Sequence, residues 1–227
     1  METSVARFTS LGFTVVTDAI DSNTCDDAVA QIDALRTEGA GSRRLLESPQ
    51  FADLAVRLRR HPAIAPLLLT DDPVAIQCIM FMKSPKKNWL VSLHQDRSVP
   101  VRARSNDSNL SGWSEKEGDL FVQPPAHVLE QVTAVRLHVD ECPVESGALR
   151  VVPASHGHGV LTSEQTARLR SSNGEQDIPA PRGAALIMKP LLLHASSKAV
   201  KPVYRRVLHF VFGPRKLPYG LEWRYAI

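Results

Sequence analysis

The sequence predicts a mainly β protein with flanking helices, its strands closing into an antiparallel barrel or sandwich of the jelly-roll, cupin-like kind. Three observations predict it. From residue 73 onward, PVAIQCIMFMK, NWLVSLHQD, QVTAVRLHVDE, GALRVVPAS, GAALIMKPLLLHAS and VYRRVLHFVF are short runs rich in β-branched and aromatic residues. Pro, Gly, Asn and Ser bound these runs, as expected of short strands separated by turns. The stronger helical signals, by contrast, are confined to the first 70 residues or so. A length of 227 residues, 43% hydrophobic and 22% charged, suits one globular domain over 1–227 with a core that needs no disulfide or metal to hold it. A helical N-terminal part over about 18–70 and a barrel core over about 73–213 divide it.

In chain order, GFTVVTDAI alternates apolar residues like a strand. DSNTCDDAVAQIDALRTEG follows as a helix, with acidic and capping residues first and Gly39 at its end. SPQFADLAVRLRRHPAIAPLLL reads as a second helix broken near Pro62. Within the strand region two stretches interrupt. Residues 97–118, RSVPVRARSNDSNLSGWSEKEG, carry few large apolar side chains and read as a long loop, a candidate lid. Residues 161–179 hold a short helical piece and a polar turn. The aromatics of PYGLEWRYAI pack on the barrel or on another subunit, so a monomer and a homodimer both remain open.

Composition excludes several classes. The net charge is only +3 and the basic residues are scattered, which leaves nucleic-acid binding without support. Cys25, Cys78 and Cys142 are widely spaced with no CxxC, which argues against a disulfide framework or a zinc site. METSVARFTSLGF has no basic stretch leading into an apolar run, and no segment reaches membrane-spanning length, so a cytoplasmic protein is the expectation.

The chemistry centres on SLHQDRS. Two residues apart on a strand means one face, so His94 and Asp96 point to one spot and Gln95 turns away. HxD alone is short enough to arise by chance. His194 in KPLLLHASS adds a third candidate among leucines, and two imidazoles with one carboxylate form the facial set that suits non-haem Fe(II) with open positions. A 2-oxo acid and O2 would occupy those positions, and the far carboxylate of the oxo acid requires a cation. Arg205 and Arg206 in VYRRVLHFVF are the candidates, because a guanidinium among apolar neighbours is costly without an anionic partner. Arg205 shares a face with Val207 and His209, Arg206 with Tyr204 and Leu208, and the pattern does not choose between them.

These residues resemble the phytanoyl-CoA dioxygenase family of Fe(II)- and 2-oxoglutarate-dependent oxygenases. The likeness runs from about Gly12 to Phe212 and rests on FMKSP, LHQD, VESGALRVVPASH, RGAALIMKPLLLHASS and YRRVLHF. It implies a double-stranded β-helix, iron held by His94, Asp96 and His194, and 2-oxoglutarate held by Arg205, eleven residues after the distal histidine. Ser196 and Lys83 match family positions near the co-substrate, Lys83 having the alternative of a strand-end lysine reaching solvent. One departure stands out. Where relatives often carry tryptophan before the ESG turn, this chain has Arg136, which shares a strand face with His138. If that face is the cavity, a second cation implies a carboxylate-bearing or otherwise anionic substrate; on the opposite parity Arg136 is solvated. Arg97, beside the HxD pair, and Trp113 in the long loop are further candidate substrate contacts, Trp113 equally an anchor for its loop. His156 and His158 lie in a Gly-rich turn and read as ordinary loop residues.

The resemblance implies hydroxylation of an unactivated C–H bond of a small molecule, amino-acid-like, acyl or natural-product in kind. Halogenation in such enzymes requires a small residue where Asp96 stands. A non-redox cupin-like isomerase or metal-dependent binding protein is the alternative, although it has no use for Arg205 and Ser196 at their offsets from His194. A nucleic-acid demethylase would want a second arginine six residues after Arg205, where this chain has Val211.

Overall fold

The computed structural model describes residues 3–35, 41–200 and 204–227. Its elements follow in the order α1 (Ser4–Leu11), β1 (Phe13–Val16), α2 (Ser22–Ala34), α3 (Pro49–Arg60), β2 (Pro73–Lys83), β3 (Val91–His94), β4 (Val99–Val101), β5 (Ser111–Lys116), β6 (Asp119–Gln123), α4 (Ala126–Leu129), β7 (Thr133–His138), β8 (Leu149–Val151), α5 (Ser163–Asn173), β9 (Gln176–Ile178), β10 (Ala185–Met188), β11 (His194–Ser196) and β12 (Arg205–Pro214). The helices form where local chemistry satisfies their ends. Asp21 caps α2 by accepting from the Thr24 amide at 2.7 Å. Pro49 opens α3, whose Phe51, Leu54, Ala55 and Leu58 recur at helical spacing and are buried, while Arg57, Arg59 and Arg60 suit its C-terminal dipole. The expected stop of α2 at Gly39 lies outside the described residues.

The strands form a five-stranded sheet in the order β1-β10-β7-β12-β2, a four-stranded sheet β3-β11-β8-β9 and a three-stranded sheet β4-β6-β5, antiparallel throughout. The fold is thus the mainly β, jelly-roll architecture the sequence predicts. Period two divides the large sheet into two faces. Val135, Leu137, Leu208, Phe210 and Phe212 face α2 and α3 in one apolar cluster. On the other face Ala134, Leu186 and Met188 meet Leu149, Val151 and Ile178 of the four-stranded sheet, which closes one end of the space between the sheets. Each large apolar side chain buried this way contributes about 1.5–3 kcal/mol. The remaining inward positions of β2, β7 and β12 mix polar residues such as Gln77, Arg136, Arg205 and His209 with Ile79, Phe81 and Val211, and they form the cavity. Cys25, Cys78 and Cys142 are buried free thiols.

Three expectations need correction. GAALIMKPLLLHAS is two strands, because Pro190 cannot donate to a ladder and the chain turns at Lys189–Leu192, delivering His194 to the other sheet. The stretch 97–118 is not one long loop: it holds β4 and β5. Glu117 and Gly118, at φ 54° and 81°, make the two-residue turn with left-handed backbone that joins β5 to β6. Trp113 faces the apolar cluster of Val99, Val101 and Trp223 and is stacked by Arg104 at 5.2 Å. It anchors the hairpin and does not line the cavity. The last residues pack on their own chain: Leu221 and Trp223 are buried, Trp223 donates to the Pro214 carbonyl, and Ile227 pairs with the backbone of Ala75. Among the described residues no helix is long and apolar enough to cross a membrane.

Candidate active site

His94 and His194 are direct cross-strand partners on β3 and β11, which sets their rings 4.2 Å apart between centres. Each imidazole is oriented from behind. Nδ1 of His94 lies 2.8 Å from the Ser92 carbonyl and Nδ1 of His194 2.9 Å from that of Leu192, so Nδ1 carries the proton and the Nε2 lone pair faces inward. Asp96 has left the strand. Its amide donates to the Pro190 carbonyl at 2.9 Å, and its two carboxylate oxygens sit 3.6 Å from the two Nε2 atoms. Among the described residues these three form the group of donor atoms, all within 4.8 Å of one another, able to hold a metal ion.

Gln95, just past the end of β3, fixes this corner. Its amide donates to the carbonyls of Leu191 at 2.7 Å and Gly159 at 2.8 Å and accepts from the Leu161 amide at 2.9 Å. The side chain between the two candidate ligands therefore ties their loop to the approach to β11. Burial alone would raise the Asp96 carboxyl, but His194, His94 and His209 around it hold it well below the usual carboxylate range. Burial lowers His194 despite Asp96, whereas at His94 burial is outweighed by the Asp96 carboxylate and the Ser92 carbonyl together, and the group is raised.

A cavity of about 410 Å³ opens over the triad, with Gln77, Ile79, Phe81, Arg136, Arg205 and His209 among its walls. The parity question is settled. Arg205 points inward and is 2% exposed, while Arg206 faces out, forked onto Asp140 at 2.8 and 2.9 Å and joined to Asp33. Arg205 has no partner at Nε or Nη1, and burial lowers its basicity. Directly opposite it on β2 is Lys83, fully buried and not a solvent-reaching strand end. The Lys83 ammonium donates to Ser196 Oγ at 3.0 Å and to the Ser197 carbonyl, and Ser196 donates onward to Gly147 at 3.0 Å. Burial, with Arg205 and Arg136 beside it, pulls Lys83 down to about 8. Like charges facing across a sheet are destabilising unless an anion lies between them, so this end of the cavity fits a carboxylate. Gly147 permits the approach. At φ +71°, a Cβ there would sit 2.5 Å from the Ser197 carbonyl oxygen and 2.7 Å from Lys83 Nζ.

Arg136 and His138 point inward with Arg205, at 6% and 1% exposure. Arg136 lines the cavity; His138 lies beneath it, and burial with the two arginines keeps its ring well below the usual histidine range, neutral. Arg97 lines the mouth and is exposed. The sequence reading placed no weight on His209, whose Nε2 is 3.9 Å from Asp96 and which burial lowers to about 4. Its shared face with Arg205 was the signal. Gln77, Lys116 and Phe121 also went unnoticed as wall residues. His156 and His158 lie in a short helical turn at 155–158, away from the triad.

The family model for phytanoyl-CoA dioxygenase (PhyH) matches residues 8–207. EctD from S. alaskensis superposes with a TM-score of 0.70 at 18% identity, over 96% of this chain and 80% of that one. The non-heme alpha ketoglutarate dependent epimerase SnoN from nogalamycin biosynthesis gives 0.68 at 15% identity, over 96% and 85%. HygX from Streptomyces hygroscopicus, with iron bound, gives 0.66 at 19%, over 95% and 87%. At these identities the likeness establishes the fold. No curated protein matches the chain in sequence.

Proposed function

The chain belongs to the phytanoyl-CoA dioxygenase family, and from that membership we propose that it is an Fe(II)- and 2-oxoglutarate-dependent oxygenase that hydroxylates an unactivated C–H bond of a small molecule. One observation carries the reading: two inward Nε2 atoms and one carboxylate converge on a cavity whose far wall holds a buried arginine with no partner at Nε or Nη1. The donor set of two imidazoles and one carboxylate fits Fe(II), and the paired cations Arg205 and Lys83 fit the distal carboxylate of 2-oxoglutarate. Bound there, Fe(II) with 2-oxoglutarate and O2 would supply the oxidising power that breaks the C–H bond.

The protein's own part is positioning and exclusion. His94, Asp96 and His194 would hold the metal on one side and leave its cavity side open. The Ser92 and Leu192 carbonyls keep both imidazoles in the metal-binding tautomer. Arg205 would fork onto the co-substrate carboxylate, with Lys83 and Ser196 completing its hydrogen bonds. Ile79, Phe81, Leu149 and Val211 exclude water from the space where substrate lies. Asp96 retains the carboxylate ligand, which favours hydroxylation over halogenation.

Anaerobic addition of Fe(II) and then 2-oxoglutarate to metal-free protein tests this. A visible charge-transfer band is expected in the wild type and is weakened or lost in Asp96→Ala and Arg205→Ala. Absence of the band, with tight binding of another metal, would sink the oxygenase reading in favour of a non-redox cupin-like isomerase or binding protein.

A further inference from the structure

With the co-substrate assigned to Arg205 and Lys83, a second buried cation is left over. Arg136 is 6% exposed, lines the cavity, has no hydrogen-bond partner at Nε and has no carboxylate within ion-pair distance among the described residues. Its guanidinium carbon lies 5.2 Å from the centre of the Phe81 ring, an aromatic shelf that supports the charge without neutralising it. A buried, unpaired guanidinium is expensive to keep. The contrast with Arg206, forked onto Asp140 and also bonded to solvent-side Asp33 at 3.1 Å, shows how this chain treats an arginine whose task is structural.

Register places Arg136 beside the metal corner. Its cross-strand partner is His209, whose Nε2 approaches Asp96 to 3.9 Å. His209 and Arg205 are four residues apart on β12, about 13 Å along the strand. Arg136 therefore rises from the level of the triad, and its guanidinium leans over Phe81, whose partner Val207 lies midway between His209 and Arg205. Charge counting points the same way. Among the described residues Asp96 is the one acidic residue lining the cavity, against Arg43, Arg97, Lys116, Arg136 and Arg205, and of these Arg43 is already paired with Glu117. In the loaded site the Fe(II) and 2-oxoglutarate charges cancel, and Asp96 offsets one of the two co-substrate cations, Arg205 and Lys83. Arg136 stays unmatched, and Lys116 and Arg97 at the mouth add to the surplus.

We infer that Arg136 is the substrate-recognition cation of this site: the substrate is a small organic anion whose carboxylate pairs with Arg136 beside the metal, so that the C–H bond attacked lies a few bonds from that carboxylate. This rests on the oxygenase reading above. The shared chemistry, a carboxylate on Arg136, could also come from the oxo acid itself, and the two sources are separable.

The test is an anaerobic binding titration that needs no turnover. The Fe(II)–2-oxoglutarate complex is titrated with propionate or with propionamide, its uncharged match in size, and the perturbation of the charge-transfer band is followed. Propionate is expected to perturb the wild-type band saturably, at least tenfold more tightly than propionamide. Arg136→Gln should abolish that preference, Arg136→Lys should restore part of it, and both should bind 2-oxoglutarate within about threefold of wild type. Equal response to the two probes, no response to either, or an unchanged preference in Arg136→Gln overturns the inference. A loss of 2-oxoglutarate affinity in Arg136→Gln like that in Arg205→Gln also overturns it, by giving the carboxylate to the co-substrate. If the wild-type band never forms, the oxygenase reading itself has failed.

Discussion

Replacing Arg205 with methionine is expected to act in opposite directions on the empty and the loaded protein. In the empty protein Arg205 is 2% exposed, Nε and Nη1 have no partner, and Lys83 faces it across the sheet. An unsatisfied buried donor costs about 1–3 kcal/mol, so a methionine of similar length should stabilise the metal-free protein by about 2 kcal/mol. For a chain of this size that raises Tm by about 4–8 °C. With Ni(II) and 2-oxoglutarate present the sign reverses. Two charge-assisted hydrogen bonds of about 1.5–3 kcal/mol each disappear, weakening the oxo acid by about a hundredfold or more. Differential scanning calorimetry with and without ligand, beside a 2-oxoglutarate titration, reads both effects. A variant that melts lower than wild type when empty, or that binds 2-oxoglutarate unchanged, would refute the claim that Arg205 is held in reserve for an anion.

The other expectations concern the surroundings of that anion. Burial with Arg205 and Arg136 nearby lowers Lys83 to about 8, and a carboxylate beside it restores the proton. Binding of 2-oxoglutarate above pH 8 should therefore take up protons, with affinity falling as pH rises; calorimetry in two buffers measures this, and Lys83→Met should abolish it. The native state also holds fewer protons than the unfolded chain between about 8 and 10.5, so the contribution of Lys83 to stability should rise with pH across that window. Gly147→Ala places a methyl 2.5 Å from the Ser197 carbonyl oxygen at φ +71°, and should cost about 2 kcal/mol or more, seen as a fall in the thermal midpoint. Gln95→Ala removes the clamp on Leu191, Gly159 and Leu161 and should weaken metal binding about 10–100-fold in a chelator competition, while a variant that binds metal normally would show that the corner is held by its backbone alone.

Much of this architecture was readable in the chain because the relevant signals are local. Period-two alternation put Arg205 on the face of His209 and Val207, while HxD spacing marked His94 and Asp96 as one site, although Asp96 reaches it from beyond the end of β3, held by the Pro190 carbonyl. What it could not supply was the direction in which a face points. Arg205 and Arg206 are equally apolar in their neighbours, and the choice is made by Asp140, sixty-six residues away, which takes Arg206 outward. Arg136 was ambiguous for the same reason until its strand was seen between β10 and β12. The stretch 97–118 looked like a loop because its small and charged residues pack on one side of a three-stranded sheet, and the Glu117–Gly118 turn lacks the Asn or Asp that usually marks such a hairpin. His209 was overlooked because a histidine in an apolar strand is more often core than site, and only the approach of Asp96 from another sheet makes it otherwise.

The pairing of Ile227 with Ala75 also has a meaning in time. Residues 221–227 tie β4 and β6, through Trp223 to Val101 and Arg224 to Asp119, against the start of β2. Val99, Pro100 and Phe121 in that layer are cavity wall. During synthesis the metal corner can form once β11 and β12 have emerged, but the wall facing it waits for residues 221–227. The enclosure thus follows the metal corner, and a chain cut after Pro214 would already own the means to hold iron without the enclosure that governs what the iron touches.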